Sequence, residues 1–317
     1  MLIYTLTRLA YVLPVAFGVS FVCFMLVHIT PGDPLTAILP SDATLELQEA
    51  MRSAYGFDKP LPTQYGLWLW RVLHGDLGTS LVSGRPVISE VGRAVGNTVI
   101  LATVATLIGF TFGTSFGFVA GYFRDSTLDK IASAISVIGV SVPHYWLGLV
   151  LVTVFSAELG WLPPATAGPN GSANWRPDAE HLRYIVLPAI TMSVIPMGVI
   201  ARTVRALVGE ILNQEFVQAL RAKGLSEYGV FKHVVANAAP TALAVMGLQL
   251  GYLLGGSILV ETVFAWPGTG LLLNSAIFQR DLPLLQGTIL TLAMFFVMLN
   301  LIVDIVQAAL DPRIQRA

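Results

Sequence analysis

Residues Val95 to Phe123 read VGNTVILATVATLIGFTFGTSFGFVAGYF, 29 consecutive positions without a Lys, Arg, Asp or Glu. A hydrocarbon core of about 30 Å is crossed by roughly 20 helical residues, and one charge at its centre costs about as much as five or more leucines return. The run can therefore cross a bilayer as a helix. Five others share the property: Leu9 to Gly32, Ile131 to Ala157, Tyr184 to Ala201, Val234 to Val260 and Leu282 to Val303. Together they predict six membrane-spanning helices. Two further charge-free runs are of another kind. Leu159 to Trp175 holds three prolines, and Thr262 to Gln279 contains Trp266-Pro267-Gly268-Thr269-Gly270; both predict turns or surface loops.

The composition agrees. Of 317 residues 55% are hydrophobic and 12% charged, against roughly a quarter charged in a soluble domain. A water-soluble enzyme is excluded. Lys plus Arg is 18 and Asp plus Glu 19, a net charge of -1, which offers nucleic acid no bulk attraction. Cys23 is the single cysteine, and the histidines at 28, 74, 144, 181 and 233 lack metal-ligand spacing, so neither a disulfide framework nor a metal centre is expected. No Gly-Lys dipeptide occurs, hence no phosphate-cradling loop of the usual kind.

The first apolar run continues to Ile29 with no small-residue cleavage pattern before Pro31-Gly32-Asp33-Pro34, and is expected to be a retained anchor. With a cytoplasmic N-terminus the inner segments hold Arg8, Arg124, Lys130, Arg202, Arg205, Arg221, Lys223, Lys232, Arg313 and Arg316, and the short outer loops only Arg176, Arg183 and Arg280. This bias predicts both termini inside. The long outer segment from Thr30 to Ala94 translocates regardless of its charge. Within it Tyr65, Trp68, Leu69, Val72 and Leu73 recur at helical spacing before Gly75. They predict an amphipathic helix, lying in the outer membrane interface or packed on the tops of the spanning helices. The expected division is a first helix (1–32), an extracytoplasmic segment (33–94) and a transmembrane domain of helices two to six (95–317).

The inner segment Arg202 to His233 has 32 residues, too many for a simple turn. Glu215 to Lys223 are good helix formers. Phe216, Ala219, Leu220 and Lys223 fall on one face, and Glu215, Gln218 and Arg221 on the other. Gly224 suits the left-handed position past a helix end, and Ser226 with Glu227 suits a new start. The pattern is helix, glycine stop, helix. By itself it fits equally a surface hairpin that only ties two spans together.

Gln218-Ala219-Leu220-Arg221-Ala222-Lys223-Gly224 resembles the cytoplasmic Glu-Ala-Ala-x-x-x-Gly motif by which permease subunits of prokaryotic ATP-binding-cassette (ABC) importers dock on their ATPase. Ala219 and Gly224 match, Gln218 and Leu220 depart, and the motif's closing Leu-Pro pair is replaced by Ala236 and Asn237, with a proline only at Pro240. The stretches Arg221 to Glu227, Asn237-Ala238-Ala239-Pro240, Val260 to Phe264, Trp266-Pro267-Gly268 and Leu310-Asp311-Pro312-Arg313 resemble the dipeptide, oligopeptide and nickel permease branch. Pro31-Gly32-Asp33-Pro34, Phe57 to Pro62 and Gly75 to Ser80 are similar to its first-subunit type.

The resemblance implies an all-α membrane protein of the type I (MetI-like) importer fold, multi-pass in a prokaryotic cytoplasmic (inner) membrane. It implies a homologous second permease, two ABC ATPase subunits inside and a solute-binding protein outside. This chain would be no enzyme and hold no cofactor; ATP and Mg would be bound by the ATPase partners. The implied cargo is di- or oligopeptides, with nickel complexes, glutathione or another small solute as alternatives. Shifting a pathway from 99:1 inward-open to 1:99 needs about 5.5 kcal/mol of differential interaction, which an ATPase closing on nucleotide can deliver through a rigid helix.

Residue by residue, Ala219 and Gly224 are expected to allow close approach to the ATPase groove, with Phe216 and Leu220 as anchors buried in it, Glu215, Arg221 and Lys223 at its rim, and Leu225 following. The loop from Glu261 to Pro283, above all Glu261, Trp266, Pro267, Gly268 and Gly270, is expected to help receive the binding protein. His144 and Asp304 are pathway candidates, although a histidine at a helix break and an acid near a span end have plain packing roles. Gly251, Gly255 and Gly256 predict close helix packing, within the subunit or across the pair. An intramembrane protease would need more than Ser141 and His144 at i, i+3, and a self-sufficient transporter would need internal repeats and midplane carboxylates, which the sequence lacks.

Overall fold

The structure, a computed structural model, describes residues 2–29, 44–46, 49, 53 and 58–310. Pro31-Gly32-Asp33-Pro34, Phe57, Asp311-Pro312-Arg313 and Arg316 lie outside the described residues, as does most of the segment between 33 and 57. Every regular element among the described residues is a helix. In chain order these are α1 (Leu2–Ile29), α2 (Leu61–Leu73), α3 (Val87–Tyr122), α4 (Thr127–Ser141), α5 (His144–Leu151), α6 (Ala179–Leu212), α7 (Glu215–Ala222), α8 (Glu227–Val263), α9 (Thr269–Gln279) and α10 (Leu282–Leu310).

Five helices, α1, α3, α6, α8 and α10, are long and apolar enough to cross a membrane, and α4 with α5 and the π-helical turn Val152–Glu158 makes a sixth if counted as one bent span. The helices outrun the charge-free runs. α3 begins at Val87 and carries Glu90 and Arg93, because a helix need not end where the hydrocarbon does. The third run is not one straight span: α4 and α5 meet at 102°. Pro143 lacks an N–H and pushes the preceding residue out of the α region, and Val142 is accordingly extended at ψ 125°. A second expectation also fails. Thr262 to Gln279 is not all loop, since α8 runs on to Val263 and Thr269–Gln279 forms α9. Only the five-residue Trp-Pro-Gly-Thr-Gly stretch carries turn chemistry, and the leucines after it favour helix.

The chain forms two compact units, Met1–Tyr4 with Thr98–Trp266 and Ile302–Ala317, and Thr5–Asn97 with Pro267–Leu301. In the first, two apolar clusters form the core. Leu101, Ile185, Leu253, Val260, Phe264 and Trp266 belong to one, and Ile200, Val204, Val208, Val217, Val230 and Val234 to the other. α3 meets α6 through Gly109, Gly113, Gly117 and Gly121. A Cβ on Gly117 would sit 2.7 Å from the Ala201 carbonyl oxygen, and one on Gly121 would sit 2.8 Å from that of Arg205. Glycine is demanded there by backbone contact. Arg205 then reaches α4, donating to both carboxylate oxygens of Asp129 at 2.5 and 2.9 Å.

In the second unit Val87, Val91, Ala276 and Leu284 make the core. Asp281, fully buried, accepts from Ser80 Oγ at 2.5 Å and from the Leu284 amide at 3.1 Å, which starts α10. α2 packs on α1 through Tyr65, whose hydroxyl is 2.7 Å from Ser20 Oγ and whose ring lies against Phe17, Phe21 and Phe24. Trp70 and Leu73 stay exposed. The packed alternative thus holds for Tyr65 and Trp68, while Trp70 and Leu73 leave α2 an apolar surface.

Candidate functional site

The segment after α6 is built by three local devices. The Asn213 side-chain amide donates to the Gly209 carbonyl at 2.8 Å and ends α6. α7 has Glu215 in its first turn and Arg221 in its last, each charge at the helix end whose dipole it complements. Gly224 then stands at φ +82°, its amide donating to Arg221 O at 2.9 Å while the Leu225 amide donates to Leu220 O at 3.2 Å. This pair of bonds is a Schellman stop. A Cβ on Gly224 would meet nothing within 4 Å, so the left-handed backbone, not crowding, selects glycine. Ser226 Oγ accepts from the Gly229 amide at 3.3 Å and begins α8.

Val217 is 0% exposed in the cluster with Val230 and Val234. Burying a valine contributes about 1.5–3 kcal/mol at most. Phe216, Leu220 and Leu225 pack partly buried against the same cluster. Phe216 and Leu220 are therefore packed on this chain's own core while part of each side chain stays accessible. The outward side of the hairpin is formed by Glu215, Gln218, Ala219, Ala222, Lys223 and Gly224, all exposed. Arg221 is exposed too, but it is engaged: Nε and Nη2 donate to the Glu227 carboxylate at 3.1 and 3.2 Å, and the Tyr122 hydroxyl donates to Glu227 Oε2 at 2.6 Å. The Glu227 bond raises the Arg221 pKa above its ordinary value. The eight expected coupling residues thus form one hairpin. The sequence reading missed Val217 and Tyr122 as parts of it, and placed Glu227 at the start of the second helix without its bond to Arg221. Val217 and Leu220 at i, i+3 were a readable sign, whereas Tyr122 lies too far along the chain to show one.

The residues expected at the docking loop divide between the two units. Glu261 and Trp266, in the first, are both 0% exposed. Thr98 Oγ1 donates to Glu261 at 2.8 Å, and the Trp266 amide donates to Glu261 O at 2.8 Å. Glu261 is therefore a buried, hydrogen-bonded carboxylate. In the second unit the Pro267 carbonyl accepts from Asn97 Nδ2 at 2.8 Å, and Gly268 and Gly270 are buried at the start of α9. His144 opens α5 and Asp304 lies in α10, both half-buried. No group of three or more His, Cys, Asp or Glu that could hold a metal occurs among the described residues.

Residues 113–316 match the family described as binding-protein-dependent transport system inner membrane component, and residues 1–86 match its N-terminal companion. The chain belongs to this family. It is 38% identical over 313 residues, 98% of each chain, to a Brucella abortus (strain 2308) protein named as a peptide transport system permease. It is 37% identical over 316 residues, 99% of each chain, to the glutathione transport system permease protein GsiC of Escherichia coli (strain K12). A chain of the MetNI methionine ABC transporter, in an inward-facing conformation, has the same fold over 70% of this chain and 96% of its own, with a TM-score of 0.56 and 19% identity. The protein is thus an ABC importer permease of MetI-like fold, a multi-pass, non-enzymatic membrane subunit.

Proposed function

We propose that this chain is one permease half of an ATP-driven peptide importer of a prokaryotic inner membrane, with both termini cytoplasmic and an ATPase subunit gripping α7. The burial of Val217 carries the reading. It fixes α7 to the core shared by α6 and α8 and leaves Gln218, Ala219 and Ala222 as a small, bare face between Glu215 and Lys223. A helix anchored on one side and open on the other can receive a displacement and pass it to the helices before and after it. A second permease completes the pathway, and Gly255, around which a Cβ would find open space, belongs to the surface it covers. His144 and Asp304 contribute to the pathway. The binding protein docks on the outer side, at the segment that holds Glu261, Trp266, Pro267, Gly268 and Gly270. The relatives named for peptides and for glutathione, itself a tripeptide, support a short peptide as cargo.

The test is an Ala219→Cys chain co-expressed with its ATPase subunits; Cys23, 2% exposed, does not compete for thiol reagents. A cross-link to the ATPase at Ala219→Cys and not at Val217→Cys, with ATP-dependent uptake of labelled di- or tripeptide by proteoliposomes, is the expected result. Labelling of Ala219→Cys from outside intact cells, or uptake by this chain alone without ATP, overturns the reading.

A further inference from the structure

Arg221, Glu227 and Tyr122 join three helices at one carboxylate, and we propose that Tyr122 and Glu227 are positioning residues that fix the angle of α7 against α3 and α8. This inference rests on the reading of α7 as the ATPase handle. The Arg221–Glu227 pair bridges the turn between α7 and α8, and Tyr122, the last residue of α3, bonds the same carboxylate. Each charge sits where its helix favours it, Arg221 in the last turn of α7 and Glu227 in the first turn of α8.

The fold does not need this brace to hold the hairpin together. Val217 already pins α7 to the core, and the Schellman stop at Gly224 already ends the helix. The apolar packing of Phe216, Val217 and Leu220 is non-directional and opposes small tilts of α7 only weakly, and no side chain crowds the turn at Gly224. Three hydrogen bonds on Glu227 remove that freedom. A push on the bare face of α7 then turns α8 and the end of α3 as one body, instead of being lost in a swivel of α7. The pair is well exposed, with 45% of the Arg221 and 62% of the Glu227 side chain accessible. Such pairs add little to stability, so their removal is expected to spare the fold and show itself in transmission.

The experiment uses the assembled importer in proteoliposomes, with Glu227→Gln, Tyr122→Phe and the Tyr122→Phe/Glu227→Gln double variant. Peptide taken up per ATP hydrolysed is measured beside the yield of co-purified ATPase. Each single variant is expected to lower the transport ratio by about five-fold, within the range that residues along a coupling route produce. The double variant is expected to do no more than either single one, as partners in one interaction must. ATPase co-purification should stay at the wild-type level. A wild-type ratio in all variants, or losses that multiply in the double, overturns the brace; loss of the ATPase from the variants assigns these residues to docking and overturns it too. Failure of the wild-type chain to retain any ATPase would instead strike the underlying functional reading.

Discussion

At Asp129 only 4% of the side chain is accessible, while its partner Arg205 keeps 39%, and this inequality decides which half of the pair can be lost. Without the guanidinium, a buried carboxylate keeps only Ser133 Oγ and the Asp125 amide, both at 3.0 Å. Without the carboxylate, Arg205 can turn outward. Arg205→Ala is therefore expected to destabilise by about 2–4 kcal/mol, reduced from the fully buried case by the exposure of Arg205, and Asp129→Asn by clearly less. Thermal unfolding of the purified subunit in detergent checks the order, and equal losses would contradict it. Gly224 is governed by backbone alone. A side chain at φ +82° costs about 1–2 kcal/mol, and a β-branched one more, so Gly224→Val should blunt substrate-stimulated ATP hydrolysis further than Gly224→Ala. Unchanged stimulation in both would show that the stop is not mechanically required.

Between elements, the contact of α3 with α6 depends on the absence of side chains at four-residue intervals. Gly117 and Gly121 face carbonyl oxygens and the valines Val204 and Val208 at under 3 Å from where a Cβ would lie, and backbone cannot yield as a flexible side chain can. Gly117→Leu should force the helices apart and prevent a folded, detergent-stable subunit, while the same change at Gly255, which faces open space, should leave the isolated subunit intact. Size-exclusion profiles of the two variants make the comparison. Asp178 caps α6, accepting from the His181 amide at 2.8 Å and lying 2.7 Å from its ring nitrogen. These bonds hold its carboxyl below the usual carboxylate range. A depressed folded value means that the stabilisation is present above the unfolded value near 3.9 and is lost as pH falls through the folded one. The protection of the His181 and Leu182 amides, relative to their intrinsic exchange rates, should therefore fall below about pH 4, and Asp178→Ala should remove that pH dependence.

For the molecule as a whole, an anchored hairpin without a nucleotide site predicts that transport follows a partner's ATP hydrolysis, and removing ATP or Mg should abolish uptake while leaving this chain folded. Five long helices and the positions of the helix, glycine and helix after α6 were legible in the sequence, because charge-free length and left-handed backbone are local requirements that composition and spacing record. The four glycines of α3 at 109, 113, 117 and 121 were equally open to such reading and were passed over for the stripe on α8. The break at Pro143 and the helix after Gly268 were blurred, since hydropathy measures solvent preference and not direction. What the sequence determined by itself is therefore the class of molecule, its spans and the place of the α7–α8 hairpin. Which face of α7 points inward, that Arg221 is tied to Glu227 and Tyr122, and that Glu261 is buried were decided only in the tertiary structure. The bonds from Tyr122 to Glu227 and from Thr98 to Glu261 join residues 105 and 163 positions apart, so no local pattern carries them, and the i, i+3 pair Val217 and Leu220 only hints at the face of α7 that the core shared with α6 and α8 selects.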